Sequence, residues 1–148
     1  MEYREITEND IEKLAELFME SFNSEPFNEN WTKKTATKRL ESAFYSRGYY
    51  GFCAVEKDEI CGLIMGCFEQ FCENLDFFLK EFAVKNDLRG QGIGTSILTE
   101  LEKRLKEKGV SNITFLTIKG DKTEHFYNKF GYKQHDEIIY MSKKVKGW

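Results

Sequence analysis

A glycine-rich segment holds the residues of this sequence best suited to bind a ligand. Its order is Arg89-Gly90-Gln91-Gly92-Ile93-Gly94-Thr95. Glycine adopts backbone conformations that other residues avoid and leaves the neighbouring peptide groups open to approach. Where such a turn begins a helix, unpaired N–H groups and the positive end of the helix dipole meet. The segment is therefore expected to bind an anion, most plausibly a phosphate or pyrophosphate.

Two regular elements are predicted to flank this segment. The apolar run Phe82-Ala83-Val84, extended backwards by residues 77–79, is typical of a buried strand. From Ile93 onward apolar residues recur with helical spacing while charged residues occupy the opposite face. Gly109 is expected to end that helix as its C′ residue. The predicted apolar face consists of Ile93, Ile97, Leu98, Leu101 and Leu105.

The known phosphate-binding motifs narrow the choice of ligand. A P-loop requires Lys followed by Ser or Thr after its last glycine, whereas Gly94 is followed by Thr95-Ser96. The dinucleotide fingerprint requires a glycine where Thr95 stands. The pattern that remains, Arg-x-x-Gly-x-Gly, resembles the acyl-CoA pyrophosphate loop of the GNAT superfamily of N-acyltransferases. Arg89 and Lys85 are expected to add positive charge beside this loop. The alternative interpretation of the glycine-rich segment is a surface turn that binds no ligand.

A second motif supports the resemblance near the C-terminal end. The segment His125–Tyr132 is similar to the Phe-Tyr-x-Lys-x-Gly-Phe/Tyr segment of GNAT enzymes. Many members carry an asparagine seven residues before the tyrosine, where this chain has Gly120. Lys122 is a candidate to contact a cofactor phosphate in its place.

The resemblance implies acetyl-CoA as cofactor and direct attack of an amine in a ternary complex, without an acyl-enzyme. Tyr127 is then the candidate general acid for the departing thiolate, because a phenol matches a thiol better than a carboxylic acid does. The alternative is a core aromatic residue tethered by its hydroxyl. The implied cofactor-binding residues are Phe82, Ala83, Val84, Arg89, Gly90, Gln91, Gly92, Ile93, Gly94, Thr95 and Lys122.

Glu81 is the candidate base, since many members carry a carboxylate at this place on the cofactor strand. Strand alternation puts Glu81 and Ala83 on one face and Phe82 and Val84 on the other. If the first face meets helices, Glu81 requires a salt-bridge partner; in some relatives water alone removes the proton. Acidic residues just upstream either attract a cationic amine or form a solvated hairpin end: Glu69, Glu73 and Asp76.

The N-terminal half is expected to select the acceptor. The loop between residues 22 and 31 and the aromatic side chains around it offer faces on which an ammonium group can rest. The alternative is that most of these side chains belong to the core. The candidates are Trp31, Phe44, Tyr45, Tyr49 and Tyr50.

Composition excludes several classes. The 148 residues carry a formal charge of −3, and no basic stripe indicates nucleic acid. No apolar run reaches the ~20 residues needed to cross a bilayer. Because the N-terminal residues contain no signal-peptide core, we predict a cytoplasmic protein with reduced cysteines and no zinc site. A homodimer is plausible, since exposed aromatic residues such as Trp148 are expected.

The elements predict one α/β domain over residues 1–148, with a GNAT-like mixed, mostly antiparallel sheet and helices on both faces. The expected order is β-α-α-β-β-β-α-β-α-β. The predicted strands are residues 3–6, 50–56, 60–71, a strand ending at 84, 112–118, 132–133 and 138–141, and the last helix covers 122–130.

The favoured function is transfer of an acetyl group from acetyl-CoA to a primary amine of a small molecule. Protein or peptide amines are the alternative within this class. An acyl-CoA-binding sensor or a catalytically silent interaction domain would keep the glycine-rich segment and dispense with Glu81 and Tyr127. A DNA-binding regulator is disfavoured by the negative net charge.

Overall fold

The computed structural model of the protein describes residues 1–147. They form two compact units, one of residues 1–115 and one that begins at Leu116. Among these residues, no helix combines the length and the apolar character needed to cross a membrane.

The first unit is built on a five-stranded sheet in which strand order follows chain order. Neighbouring strands run antiparallel, except that the fourth and fifth are parallel. The turn between the second and third strands uses Lys57 and Asp58 at positive φ. The strands are β1 Glu2–Glu5, β2 Tyr49–Glu56, β3 Glu59–Gln70, β4 Leu75–Val84 and β5 Asn112–Thr114.

Helices cover both faces of this sheet. Helix α1 (Ile11–Asn23) and helix α2 (Lys33–Phe44) bury their apolar stripes against inward residues of β2, β3 and β4. Helix α3 (Ile93–Glu107) lies on the opposite face, where its Arg104 guanidinium sits 4.6 Å from the ring centroid of Phe52. The predicted fold class is thus confirmed. Each fully buried Leu or Phe side chain in these layers contributes about 1.5–3 kcal/mol through removal from water.

Local hydrogen bonds define the ends of two helices, and the predicted role of Gly109 is confirmed. Thr32 accepts a hydrogen bond from the Thr35 N–H (3.1 Å) at the start of α2. At the end of α3, Gly109 has a φ of +81° and the Val110 N–H bonds the Leu105 carbonyl (3.0 Å). That pattern satisfies the last carbonyls of the helix, as expected of a glycine at C′.

A β-bulge in β4 changes which side chains meet which helices. Met65 pairs with Glu81 and Gly66 with Leu79, so Lys80 is the extra residue. Such an insertion reverses the alternation of side chains along the strand. Phe77 therefore packs with Phe68 on the α3 face, whereas Glu81 is a neighbour of Met65 on the α1–α2 face.

The fifth strand is shorter than predicted. The sequence indicates a strand over residues 112–118, but β5 ends at Thr114. Its parallel ladder with β4 covers three pairs and stops at Phe78 and Thr114, whereas the β3–β4 ladder continues to Val84. Beyond Phe78, β4 and β5 therefore diverge.

The second unit contains one helix, α4 (Asp121–Lys129), within the described residues. Gly131, at a φ of +89°, follows its end, as predicted. The strands predicted at 132–133 and 138–141 are wrong: both segments have irregular backbone. β-Forming side chains favour a strand only where a neighbouring ladder and a packed surface exist, and the side chains of 138–141 are exposed. Trp148 lies outside the described residues.

Candidate functional site

The start of α3 has the geometry of an anion site. Gly90 and Gly92 take φ values of +80° and +81°, which favour glycine. The first helical N–H bond runs from Ser96 to the Gly92 carbonyl (3.0 Å), so the N–H groups of residues 93–95 precede the hydrogen-bonded series. These groups and the helix dipole point towards one place.

The space in front of this turn is open. A Cβ atom built on Gly90 or Gly92 would meet no heavy atom within 4 Å. Gln91 and Thr95 are exposed, whereas Ile93 is buried and anchors the turn to the core. Gly94 lies inside the first turn of α3. A pyrophosphate group therefore fits the backbone cradle that these residues form.

The Arg89 guanidinium is directed away from this cradle. Its Nη2 donates to the Ser21 carbonyl (3.0 Å) and to Ser21 Oγ (2.8 Å), and its Nη1 donates to the Glu25 carbonyl (3.0 Å). Asn86 makes a parallel connection, because its Nδ2 donates to the Glu20 carbonyl (3.0 Å). Arg89 and Asn86 thus tie the cradle to the end of α1 and the loop after it.

Lys85, the second expected cation, is also engaged elsewhere. Its Nζ lies 2.5 Å from Glu59 Oε1 on β3, and this pair raises the pKa of the lysine. The sequence predicted that Arg89 and Lys85 add positive charge beside the anion, and in the structure the hydrogen bonds of both side chains go to other protein groups. Backbone groups form the described part of the cradle.

The strand that leads to the cradle carries the other predicted cofactor residues. Ala83 is buried on the α1–α2 face, while Phe82 and Val84 are half-buried on the other face. All three lie on β4 after the point where its ladder with β5 ends. Within the described residues, the β4–β5 ladder therefore does not extend to the peptide groups of these three residues.

Glu81 is placed where a salt-bridge partner is required. Its side chain is 5% exposed, and its Oε1 accepts a 2.5 Å hydrogen bond from Arg39 Nε on α2. Burial is the main influence on the carboxyl and raises its pKa, while the Arg39 guanidinium acts in the opposite direction. A carboxyl group with a raised pKa in a protein interior is a candidate proton acceptor near neutral pH.

Most of the candidate acceptor aromatics serve the core. Trp31 packs edge-on against Phe18, with ring centroids 4.8 Å apart, and donates its Nε1–H to Glu29 (2.9 Å). Phe44 packs against Tyr49 (5.0 Å). Tyr50 stacks near Phe77 on the α3 face, which is the face opposite to α2.

Two of the candidate acceptor groups remain accessible. Tyr45 is 59% exposed and donates its hydroxyl hydrogen to Glu8. At the start of β4, Asp76 accepts a hydrogen bond from Asn112 Nδ2 (3.0 Å). The other two acidic residues, Glu69 and Glu73, are exposed. The end of the hairpin that carries these acidic residues is therefore solvated. This agrees with the second of the two interpretations that the sequence allowed for them.

The second unit places Tyr127 in the middle of α4. Its ring packs against Tyr132, with centroids 5.8 Å apart, and burial raises its pKa to about 12. The phenol therefore stays protonated throughout the neutral range, as a proton donor must. Lys122 is exposed in the first turn of the same helix.

None of the four cysteines is disulfide-bonded. Cys53 and Cys61 are buried, and burial raises the pKa of both thiols. A thiol with a raised pKa is a poor nucleophile at neutral pH. Within residues 1–147, no cluster of three or more His, Cys, Asp or Glu side chains is arranged to hold a metal ion.

Sequence reasoning missed Arg39 and Ser21. Arg39 lies between Ala36 and Ala43 at helical spacing, so it borders the buried stripe of α2. A carboxylate on a strand face covered by helices requires a cation from one of those helices. This requirement is the signal that could have identified Arg39. No local pattern marks Ser21 as the anchor of Arg89.

Comparison with known proteins places these features in a family. The family model described as the Acetyltransferase (GNAT) family matches residues 11–132. A curated relative, acetyltransferase SG1711 from Sodalis glossinidius (strain morsitans), is 29% identical over 89 residues, which are 59% of this chain. The match also spans 59% of the length of that relative.

Solved structures share the fold at low sequence identity. A protein described as "a possible acetyltransferase" from Clostridium difficile 630 superposes with a TM-score of 0.84 and 14% identity, covering 97% of both chains. An aminoglycoside acetyltransferase, meta-AAC0020, from an uncultured soil metagenomic sample, solved with sisomicin, gives a TM-score of 0.74 and 20% identity. That alignment covers 98% of this chain and 96% of the other.

Proposed function

The chain belongs to the acetyltransferase (GNAT) family, and we propose that it transfers an acetyl group from acetyl-CoA to a primary amine of a small molecule. The observation that carries the cofactor assignment is the open start of α3, where Gly92 has a φ of +81° with no heavy atom within 4 Å of its built Cβ. The aminoglycoside acetyltransferase among the structural neighbours supports a small-molecule amine as acceptor.

The cradle at the start of α3 holds the pyrophosphate. The N–H groups of residues 93–95 donate to phosphate oxygens, and Gly90 and Gly92 leave room for the approach. Gln91 is an exposed polar side chain for further phosphate contacts. When bound, acetyl-CoA supplies the acetyl thioester, and backbone groups of Phe82, Ala83 and Val84 on β4 hold its pantetheine arm and the thioester oxygen.

Glu81 acts as the base in this proposal. The acceptor arrives as an ammonium ion, and the Glu81 carboxylate takes one proton from it, directly or through water. The neutral amine then attacks the thioester carbon, the C–N bond forms as the C–S bond breaks, and the nitrogen releases its second proton to solvent, which offsets the proton that the sulfur receives. The proton on Glu81 returns to solvent after the product leaves.

Tyr127 acts as the general acid. The phenol donates its proton to the thiolate that departs as the C–S bond breaks, and the phenolate regains a proton from solvent. Its pKa of about 12 ensures that the proton is present when the thiolate forms. Because an alkyl thiol has a reference pKa near 8.5, below that of this phenol, the transfer itself is uphill, and it is completed as the phenolate regains a proton from solvent.

The test is release of CoA thiol with acetyl-CoA and a panel of small amines, in the wild type, Tyr127→Phe and Tyr140→Phe. The last is the control, because Tyr140 is 77% exposed. We expect kcat to fall on the order of 100-fold in Tyr127→Phe alone, as for loss of a general acid. Tight CoA binding without turnover of any amine would support an acyl-CoA sensor instead.

Cytoplasmic location and homodimerisation remain predictions of the proposal. Sedimentation of the full chain with and without CoA measures the oligomeric state directly.

A further inference from the structure

The ion pair between Glu81 and Arg39 is unequal. The carboxylate side chain is 5% exposed, whereas the guanidinium side chain is 53% exposed. Arg39 thus reaches Glu81 from the solvent side of α2. A cation that enters from solvent approaches the carboxylate along the side on which Arg39 lies.

The pair is also held by a single contact. Nε of Arg39 donates to Oε1 of Glu81 at 2.5 Å, and neither Nη atom hydrogen-bonds a described residue. The second carboxylate oxygen, Oε2, accepts no hydrogen bond within residues 1–147, yet it is not among the buried atoms left without a partner. A structural pair typically uses the two-pronged geometry of arginine, and this one does not.

The charges around this carboxylate come from two cations and one further carboxylate. Lys80 on β4 and Arg39 on α2 lower the pKa of Glu81, while Glu29 in the loop between α1 and α2 raises it. No charged group of α1 is among the principal influences on Glu81. Glu29 is fixed near this place by the hydrogen bond from Trp31 Nε1 (2.9 Å).

We propose that Arg39 stands in for the acceptor, so that its guanidinium occupies on Glu81 the place that the ammonium group of a cationic amine takes on binding. The inference rests on the proposed function, because it takes Glu81 as the group that receives the acceptor. It adds a specificity rule: alkylamines that are cationic when they arrive are bound, and amines that are neutral at the working pH do not displace Arg39. Arg39 is thus a positioning residue that keeps the buried carboxylate ionised while the acceptor is absent.

The first test is binding of 1,4-diaminobutane to the CoA-saturated protein by calorimetry at pH 8.5. At this pH the alkylammonium groups remain largely charged, given their reference pKa near 10.4. Arg39→Gln removes the competing cation, and Lys38→Gln is the matched control, because Lys38 is an exposed neighbour on the same helix. We expect roughly tenfold tighter binding in Arg39→Gln, which is the gain if the open carboxylate makes up about one tenth of the wild-type population. Lys38→Gln should bind as the wild type does.

A second measurement needs no substitution. In wild-type protein labelled with ¹⁵N in arginine, the Nε resonance of Arg39 reports its hydrogen bond to Glu81. Addition of 1,4-diaminobutane should shift that resonance to the position of a solvated guanidinium, while 1,4-butanediol, the neutral analogue, should leave it unchanged. This readout follows displacement and is independent of whether Arg39→Gln folds.

The outcomes separate this inference from the proposed function. An unchanged Arg39 resonance on diamine binding, or diamine binding no tighter in Arg39→Gln than in Lys38→Gln, overturns the inference. So does failure of the diamine to bind the CoA-saturated wild type. Failure of CoA itself to bind removes the proposed function first, and calorimetry with CoA alone detects that case.

Discussion

The start of α3 and the Glu81–Arg39 pair, the two regions proposed to recognise charge, lie in opposite surroundings. The turn at residues 90–92 is exposed and presents backbone groups, and the nearest cations, Arg89 and Lys85, are bound to other partners. Glu81, by contrast, is 5% exposed and depends on one hydrogen bond from a side chain on another element. One region presents peptide dipoles to solvent, and the other holds a single buried charge.

This difference has consequences for how each region responds to change. Peptide N–H groups are present whatever the side chains are, so the turn is sensitive to added bulk or charge and tolerant of other substitutions. A buried carboxylate carries a desolvation penalty that its partner only partly offsets. The pair is therefore sensitive to any change of side-chain charge, and to pH.

The largest expected effect comes from filling the turn. Gly92→Glu places a side chain and a negative charge where the phosphates bind, and two lost charge-assisted hydrogen bonds of about 1.5 kcal/mol each would weaken CoA binding roughly 100-fold. Gly109→Glu is the matched control, because Gly109 has the same φ of +81° and the same open surroundings at the other end of α3. Both variants carry the same backbone strain and the same added charge.

Calorimetry with CoA distinguishes them. Equal losses of affinity in Gly92→Glu and Gly109→Glu would mean that strain in α3, and not a blocked cradle, is responsible. Unchanged affinity in both variants would place the pyrophosphate elsewhere.

A comparable loss is expected from Glu81→Gln, but in turnover and not in CoA affinity. Removal of the base should lower kcat/KM for an amine on the order of 100-fold. The acidic limb of the pH profile should also disappear, because Gln does not titrate. Glu16→Gln is the control, since Glu16 is an exposed carboxylate paired with Lys33 on the same side of the sheet. Unchanged kinetics in Glu81→Gln would assign proton removal to water alone.

The two regions also differ in how far the sequence predicts them. Gly92 and Gly109 act through backbone conformation at a helix end, which is local, and both were identified from spacing. Alternation likewise predicted that Glu81 and Ala83 share a face. The partner of Glu81 lies 42 residues away in sequence, and no pattern within α2 specifies which strand residue Arg39 meets.

The errors in the predicted fold have the same origin. Residues 115–118 and 138–141 have β-forming side chains, but a strand exists only where a neighbour supplies its hydrogen bonds. The direction of the Arg89 side chain was also missed, because Ser21 and Glu25, its partners, belong to a distant part of the chain. Local conformation was predictable, and pairing across the fold was not.

A smaller effect is expected at Arg89. This residue belongs to the locally predictable turn, but its side chain pairs with a distant part of the chain. Since its guanidinium bonds Ser21 and Glu25, Arg89→Met should weaken CoA binding by less than about fivefold, the loss of roughly one modest contact. Amide hydrogen exchange should increase at residues 21–27, which lose their tie to the cradle. Arg89→Lys keeps the charge without the fork. If Lys restores CoA affinity that Met loses, the charge at residue 89 acts on the phosphates directly.

The smallest effect is a change of stability with pH at Glu81. Because the folded protein raises the pKa of this carboxyl, the folded state holds its proton over a pH range in which the unfolded chain has released it. Linkage then requires that the free energy of unfolding falls as pH rises from the ordinary glutamate pKa through the raised one. Glu81→Gln, which has no proton to lose, should unfold at the same temperature as the wild type near pH 4. At pH 7.5 it should unfold about 2–4 °C higher, the shift expected for about 1 kcal/mol in a chain of this size. Thermal unfolding of both proteins across this pH range measures the difference. If the wild type is the more stable of the two at pH 7.5, the hydrogen bond from Arg39 stabilises the carboxylate by more than its burial destabilises it.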